Sequence, residues 1–141
     1  MKLTVVIPTK NEEANIGTCL DAFAPFRGAV EVIVVDNFSP DRTREIADKK
    51  GANVLLKGPE RCAQRNRGWR EATGDYVMFV DADMIVPETT TREILDACAS
   101  QGSGKDSASP FCGVSVTRTS SNGQSGQYLR KSFRNGASTS R

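Results

Sequence analysis

The first hundred residues alternate short apolar runs with helix-like segments, and this alternation limits the fold more than any other feature of the chain. Four runs are short, rich in β-branched or aromatic residues and followed by polar residues: Leu3 to Pro8, Glu31 to Asp36, Asn53 to Leu56 and Tyr76 to Asp81. Between them, Glu13 to Phe23 repeats Ile16, Leu20 and Phe23 at helical spacing, Thr43 to Lys50 opens after Ser39-Pro40-Asp41, and Arg61 to Ala72 precedes Thr73-Gly74-Asp75. A fourth helix is expected over Thr91 to Cys98, with Ile94, Leu95 and Cys98 on one face. The resulting βαβαβαβ order predicts an α/β sandwich around a mostly parallel sheet. A ligand of such a sheet belongs beyond the carboxyl ends of its strands.

Charge and serine content break near residue 100. Residues 1–100 carry a net charge of −3 and 101–141 a net +5, and ten of the twelve serines fall in the second segment. The break divides the chain into an α/β domain over 1–100 and a basic Ser/Gly-rich tail over 101–141. Reading-frame loss or truncation near residue 100 would produce such a tail; a linker or a folded extension is the alternative.

The residue types that are missing exclude whole classes of chemistry. With no histidine in the 141 residues, Ser-His-Asp and Cys-His mechanisms lack their base, and structural zinc lacks its usual partner. Cys19, Cys62, Cys98 and Cys112 show no C-x-x-C spacing and read as reduced thiols. No apolar run approaches the roughly 20 residues of a membrane span and no leader is visible, so a cytoplasmic protein is expected, at most peripheral at the cytosolic membrane face. Acid/base chemistry then falls to carboxylates.

The strand exits hold the candidates. Pro8-Thr9-Lys10-Asn11-Glu12-Glu13 replaces the glycine-rich turn of dinucleotide enzymes, which argues against a nicotinamide cofactor although Asp36 sits where a ribose-binding acid would. Asp36 reads instead as an acceptor for a nucleotide ring N–H or ribose hydroxyl, while Asn11 and Glu13 suit the start of the following helix. Arg61, Arg65 and Arg67 lie at one turn-to-helix junction; helical spacing puts Arg61 and Arg65 on one face and Arg67 elsewhere, and Arg65 with Asn66 is favoured to meet phosphate. Val77-Met78-Phe79-Val80-Asp81-Ala82-Asp83 is an apolar strand that delivers two carboxylates at its end. Burying such charge without purpose is costly. In an extended chain Asp81 and Asp83 would point to the same side and share one Mg²⁺ or Mn²⁺, the ion completing its shell with diphosphate oxygens and water. An acidic turn of no function is the plain alternative. An aspartyl-phosphate hydrolase would place its Asp-x-Asp after the first strand, not the fourth, and a sugar-nucleotide pyrophosphorylase would carry a glycine- and arginine-rich phosphate loop after strand one.

Val5-Val6-Ile7-Pro8-Thr9-Lys10-Asn11-Glu12-Glu13, Ile33-Val34-Val35-Asp36-Asn37 with Ser39-Pro40-Asp41-Arg42-Thr43, Ala63-Gln64-Arg65-Asn66-Arg67-Gly68 and Asp81-Ala82-Asp83 together resemble glycosyltransferase family 2 in order and spacing over about the first ninety residues. The resemblance implies the A-type nucleotide-diphospho-sugar transferase fold, a Rossmann-like α/β/α sandwich that here looks truncated. It implies metal-dependent, inverting transfer of a sugar from a nucleoside diphosphate donor to the hydroxyl of a saccharide, lipid or protein. Pro8, Thr9, Glu12 and Asp36 would then cradle the nucleoside and Arg65 the diphosphate, with Asp83 on the metal and Asp81 nearer the ribose. Asn37 stands where many relatives carry a second acid. The family's general base has no counterpart that the sequence identifies, since Asp106 is the sole acid past residue 100 and follows the fourth helix closely. A nucleotide- and metal-binding module without transferase activity is the alternative function. No nucleic-acid partner is expected, and an unfinished sheet edge after Asp81 would invite a second copy of the chain.

Overall fold

A computed structural model describes residues 2–99 in full, together with the backbone of Ser100 and of 115–118. Its order is β1 (Leu3–Thr9), α1 (Ile16–Asp21), a 3₁₀ turn (Ala24–Phe26), β2 (Val30–Asp36), α2 (Thr43–Lys49), β3 (Asn53–Leu56), α3 (Arg61–Glu71), β4 (Tyr76–Phe79), α4 (Glu88–Ser100) and β5 (Ser115–Arg118). The sheet runs β3-β2-β1-β4-β5. The first four strands are parallel and β5 is antiparallel to β4, with Tyr76 opposite Arg118. The β4 edge expected to be open is therefore occupied, from within the segment that composition sets apart.

All seven residues of β1 are buried, as a central parallel strand requires. Leu3, Val5 and Ile7 face one layer, where Ile16, Cys19 and Leu20 of α1, Ala47 of α2 and Ile94 and Cys98 of α4 pack. Val6 faces the other with Ile33, Val35, Val77 and Phe79, under Trp69 of α3. Each such side chain stabilises the fold by about 1.5–3 kcal/mol on burial. Trp69 and Phe79 stack with ring centroids 6.4 Å apart.

Three element boundaries differ from the sequence expectation. β4 ends at Phe79, not Asp81. Val80 still donates its N–H to Val6 (3.1 Å), but Met84 N–H closes a turn on the Asp81 carbonyl (3.0 Å), which takes Asp81-Ala82-Asp83 out of extended geometry. α1 starts at Ile16, because Asn15 and Ile16 both donate to the Glu12 carbonyl (3.0 and 2.8 Å) and the preceding turn uses Asn11 at φ +53°. α4 starts at Glu88, its first turn closed by Thr91 N–H on the Pro87 carbonyl (3.2 Å).

β2 and β3 extend the sheet on one side of β1 and β4 on the other, so the strand succession reverses between β1 and β4. In open α/β sheets the crevice at such a reversal is where ligands bind. No helix among the described residues is long and apolar enough to cross a membrane.

α3 can lie this close to the sheet only because residue 68 has no side chain. A Cβ there would stand 2.3 Å from Val6 Cγ1 and 3.2 Å from Val35 Cγ2, both side chains fully buried. Gly68→Ala is expected to lower unfolding free energy by about 1–3 kcal/mol through overpacking. A denaturant midpoint equal to that of the parent would show that α3 shifts without cost.

Candidate functional site

The loops after β1 and β2 form one bonded unit. Asp36, at the end of β2, has no solvent exposure. Its Oδ1 accepts from the hydroxyls of Thr9 and Ser39 (2.7 Å each), its Oδ2 accepts from Ser39 N–H (2.8 Å), and Arg44 Nε lies 3.7 Å away. Ser39 Oγ also accepts from Asn11 N–H (2.9 Å), and Thr43 Oγ1 from Glu12 N–H (3.0 Å). Glu13 reaches across rather than capping its own helix: its carboxylate accepts from Arg42 N–H (2.9 Å) at the start of α2, and Asp41 accepts from Thr43 N–H (3.0 Å).

Asp36 thus has three donors of its own chain and no exposed surface, and it fastens the two loops together. Pro8 and Thr9 are buried as well, and the Thr9 carbonyl accepts from Asn37 N–H (3.0 Å) and from Gln64 Nε2 (2.8 Å). Of the residues expected around the nucleoside, Glu12 is half-buried and keeps a carboxylate near solvent, where Asn15 Nδ2 donates to it (3.1 Å).

Across β1, Asp81 meets the arginines of α3. Arg61 Nη1 and Arg65 Nη2 each lie 3.6 Å from Asp81 Oδ1, so the two guanidinium groups on one helix face converge on one carboxylate, as helical spacing predicts. Arg67 points away and pairs with Glu71. Arg65 also lies over the Phe79 ring, 5.9 Å from its centroid. Neither Asp81 Oδ1 nor Arg65 Nε has a hydrogen-bond partner among the described residues, although both atoms are buried. A buried polar atom without a partner is costly, and a bound ligand would relieve both.

Asp83 is exposed. Its charge converges with two others below the loop: burial first, then the negative charges of Asp83, Glu12 and Asp81, pushes the Cys19 thiol up to about 12. Cys19 Sγ donates weakly to the Asp81 carbonyl at 3.9 Å. Carboxylates from two loops thus lie close enough to act on one thiol. Their hard oxygens suit Mg²⁺ or Mn²⁺, and the orphaned Asp81 oxygen is a vacant donor for one. Among the described residues no three acidic or thiol side chains are grouped closely enough to enclose an ion, so the remaining donors would come from a ligand or water.

Gln64 is the residue that sequence patterns missed. It is 4% exposed, and its Nε2 donates to the carbonyls of both Thr9 and Val35 (2.8 Å each), fastening α3 to the ends of β1 and β2. A glutamine among arginines at a helix start gives no periodic signal of burial. A depression of about 290 Å³ at the opposite ends of the strands is lined by Lys2, Arg27, Glu31 and Lys50. It contains none of the candidate residues, and its cations are committed: Lys2 to Thr73 Oγ1 (3.3 Å), Arg27 to the Lys50 carbonyl (3.1 Å) and Lys50 to Asp21 (2.6 Å).

Comparison with known proteins identifies the family. Residues 4–132 match the model of the family described as Glycosyl transferase family 2, a match that continues past the compositional break at residue 100. The chain is 32% identical over 108 residues to a dolichol-phosphate mannosyltransferase of Pyrococcus furiosus, covering 69% of this chain and 30% of that protein. It is 36% identical over 97 residues to a glucosyl-3-phosphoglycerate synthase of Mycolicibacterium smegmatis, covering 61% of this chain and 32% of the relative. The chain therefore spans about a third of either. Among solved structures, the glucosyl-3-phosphoglycerate synthase of Mycobacterium tuberculosis, in complex with Mn²⁺, uridine diphosphate and glucosyl-3-phosphoglycerate, superposes with a TM-score of 0.64 at 26% identity over 72% of this chain and 40% of that one. TarS of Staphylococcus aureus in complex with UDP superposes with a TM-score of 0.60 at 33% identity over 70% of this chain and 31% of that one.

The two aspartates at strand ends should separate in a stability measurement. Asp36→Asn keeps one acceptor for the hydroxyls but sets an amide N–H against the Ser39 N–H and is expected to cost about 2–3 kcal/mol, whereas Asp83→Asn on the exposed turn should stay within about 0.5 kcal/mol of the parent. Equal losses in chemical denaturation would contradict the positioning role of Asp36.

Proposed function

Because this chain belongs to glycosyl transferase family 2, we propose that it forms the donor-binding half of an enzyme that transfers a sugar from a nucleoside diphosphate to an acceptor hydroxyl. The observation that carries this reading is the pair of orphaned, oppositely charged atoms, Asp81 Oδ1 and Arg65 Nε, at the strand reversal. Residues 1–100 constitute the donor unit in this proposal.

Asp83, exposed at the turn, and Asp81 would hold the divalent cation. That cation, Mn²⁺ or Mg²⁺, supplies charge neutralisation for a departing diphosphate. Arg65, with Arg61 beside it, swings from Asp81 to the diphosphate oxygens, which accept its N–H groups in a fork that lysine would not reproduce. Pro8, Thr9 and Asp36 underlie the nucleoside by fixing the loop that carries Glu12. In an inverting single displacement the acceptor oxygen attacks the anomeric carbon, its proton passes to a carboxylate base and the nucleoside diphosphate leaves with the bonding pair. That base is not assigned; Asp106 lies outside the described residues. Uridine diphosphate is the first donor nucleotide to try, being the one held by both solved relatives named above.

A nucleotide- and metal-binding module without transfer is the second reading. Calorimetric titration of UDP, GDP and dTDP, with and without Mn²⁺, addresses the shared donor site. Binding that requires Mn²⁺ and weakens at least about tenfold in Asp83→Ala is expected, a loss of roughly 1.4 kcal/mol. Metal-independent binding, or none, would overturn the donor site. Release of free sugar from a bound sugar nucleotide would favour the enzyme over the module.

A further inference from the structure

Phe38 is held in a conformation that phenylalanine disfavours, and its ring is left in the open. Its φ is +48°, in the left-handed region where a side chain with a Cβ is strained, yet it is 60% exposed, so no packing compensates for the strain. The residues on either side leave it little freedom. Asp36 and Ser39 are both fully buried and joined by two hydrogen bonds, Lys10 Nζ donates to the Asn37 carbonyl (2.9 Å), and Asn37 Nδ2 donates to the Pro59 carbonyl (3.0 Å). The result is a large flat apolar surface fixed on a preformed loop. Leu56, paired with Asp36 at the end of β3, is a second exposed apolar side chain at this end of the sheet, with 43% of its surface open.

The ring's place in the sheet indicates what it meets. β2 and β4 flank β1, so the loop after β2 and the Asp81 turn are separated by two inter-strand spacings, about 10 Å. A nucleoside diphosphate whose phosphates sit between Asp81 and Arg65 extends its base toward one side or the other of β1, and Phe38 is the exposed aromatic ring on the β2 side. We propose that Phe38 is the stacking platform for the nucleobase of the donor and a determinant of nucleotide affinity. The inference rests on the donor site proposed above. A π-face stacks on any base, so the ring adds affinity while tolerating different bases.

The test exploits the strain. Phe38→Gly removes the ring and suits φ +48°, so relief of strain offsets the extra chain entropy of glycine and the variant should melt within about 2 °C of the parent, or above it. Its affinity for UDP in the presence of Mn²⁺ should fall about tenfold. Its affinity for inorganic pyrophosphate with Mn²⁺ should be unchanged, since that ligand has no base. Phe38→Trp should restore UDP binding, with indole fluorescence quenched on saturation. UDP affinity unchanged in a folded Phe38→Gly overturns the proposal and leaves the ring to a macromolecular contact, as does an equal loss of pyrophosphate binding. A parent protein that binds pyrophosphate and UDP equally well also overturns it while sparing the metal and diphosphate site; a parent that binds neither overturns the donor site itself.

Discussion

The buried Asp36 carboxylate is the interaction on which the rest of the site depends. A lone charge in that position would be prohibitively costly, and the chain meets the cost with hydroxyls from Thr9 and Ser39, the Ser39 amide and the nearby Arg44 guanidinium. The donors come from β1, from the loop after β2 and from α2, so satisfying one carboxylate joins three elements. Ser39 and Thr43 carry the connection on to Asn11 and Glu12. The loop bearing Glu12 is preformed because it has no free choice of conformation that keeps these donors satisfied.

A second arrangement, on the other side of β1, is deliberately incomplete. Arg61 and Arg65 neutralise Asp81 at 3.6 Å, beyond hydrogen-bond distance, and leave Asp81 Oδ1 and Arg65 Nε without hydrogen-bond partners among the described residues. Complete satisfaction would have made a structural ion pair. The looser contact keeps the charges together in the protein alone while leaving each with capacity to take up an oppositely charged group. The contrast with Asp36, whose donors are within 2.8 Å, separates a carboxylate that builds from one that is ready to bind.

The sequence made the sheet legible because a central parallel strand is apolar throughout, and β1 to β3 fall within a residue of their expected limits. Helical spacing likewise sorted Arg61 and Arg65 from Arg67, since that geometry is local. What failed was whatever depended on distant partners. The bonds that Asp36 makes inside the chain were not legible, because nothing in Val35-Asp36-Asn37 shows that Thr9 and Ser39 point at it. Glu13 looked like a cap of its own helix, although its acceptor role lies at the start of α2. Val80-Asp81 reads as more strand, yet the turn closed by Met84 ends it, and local propensity is a weak guide to where a hydrogen-bond ladder stops.

β5 has a mechanical consequence for the charged turn. By pairing with Tyr76 through Phe79 it gives β4 a neighbour on each flank, so the strand that leads to Asp81 is clamped like the middle board of a floor and not hung at its rim. Lateral play in the short four-residue strand would otherwise pass directly into the spacing between Asp81 and the arginines of α3. Residues far along the chain thereby set the tolerance to which that spacing is held.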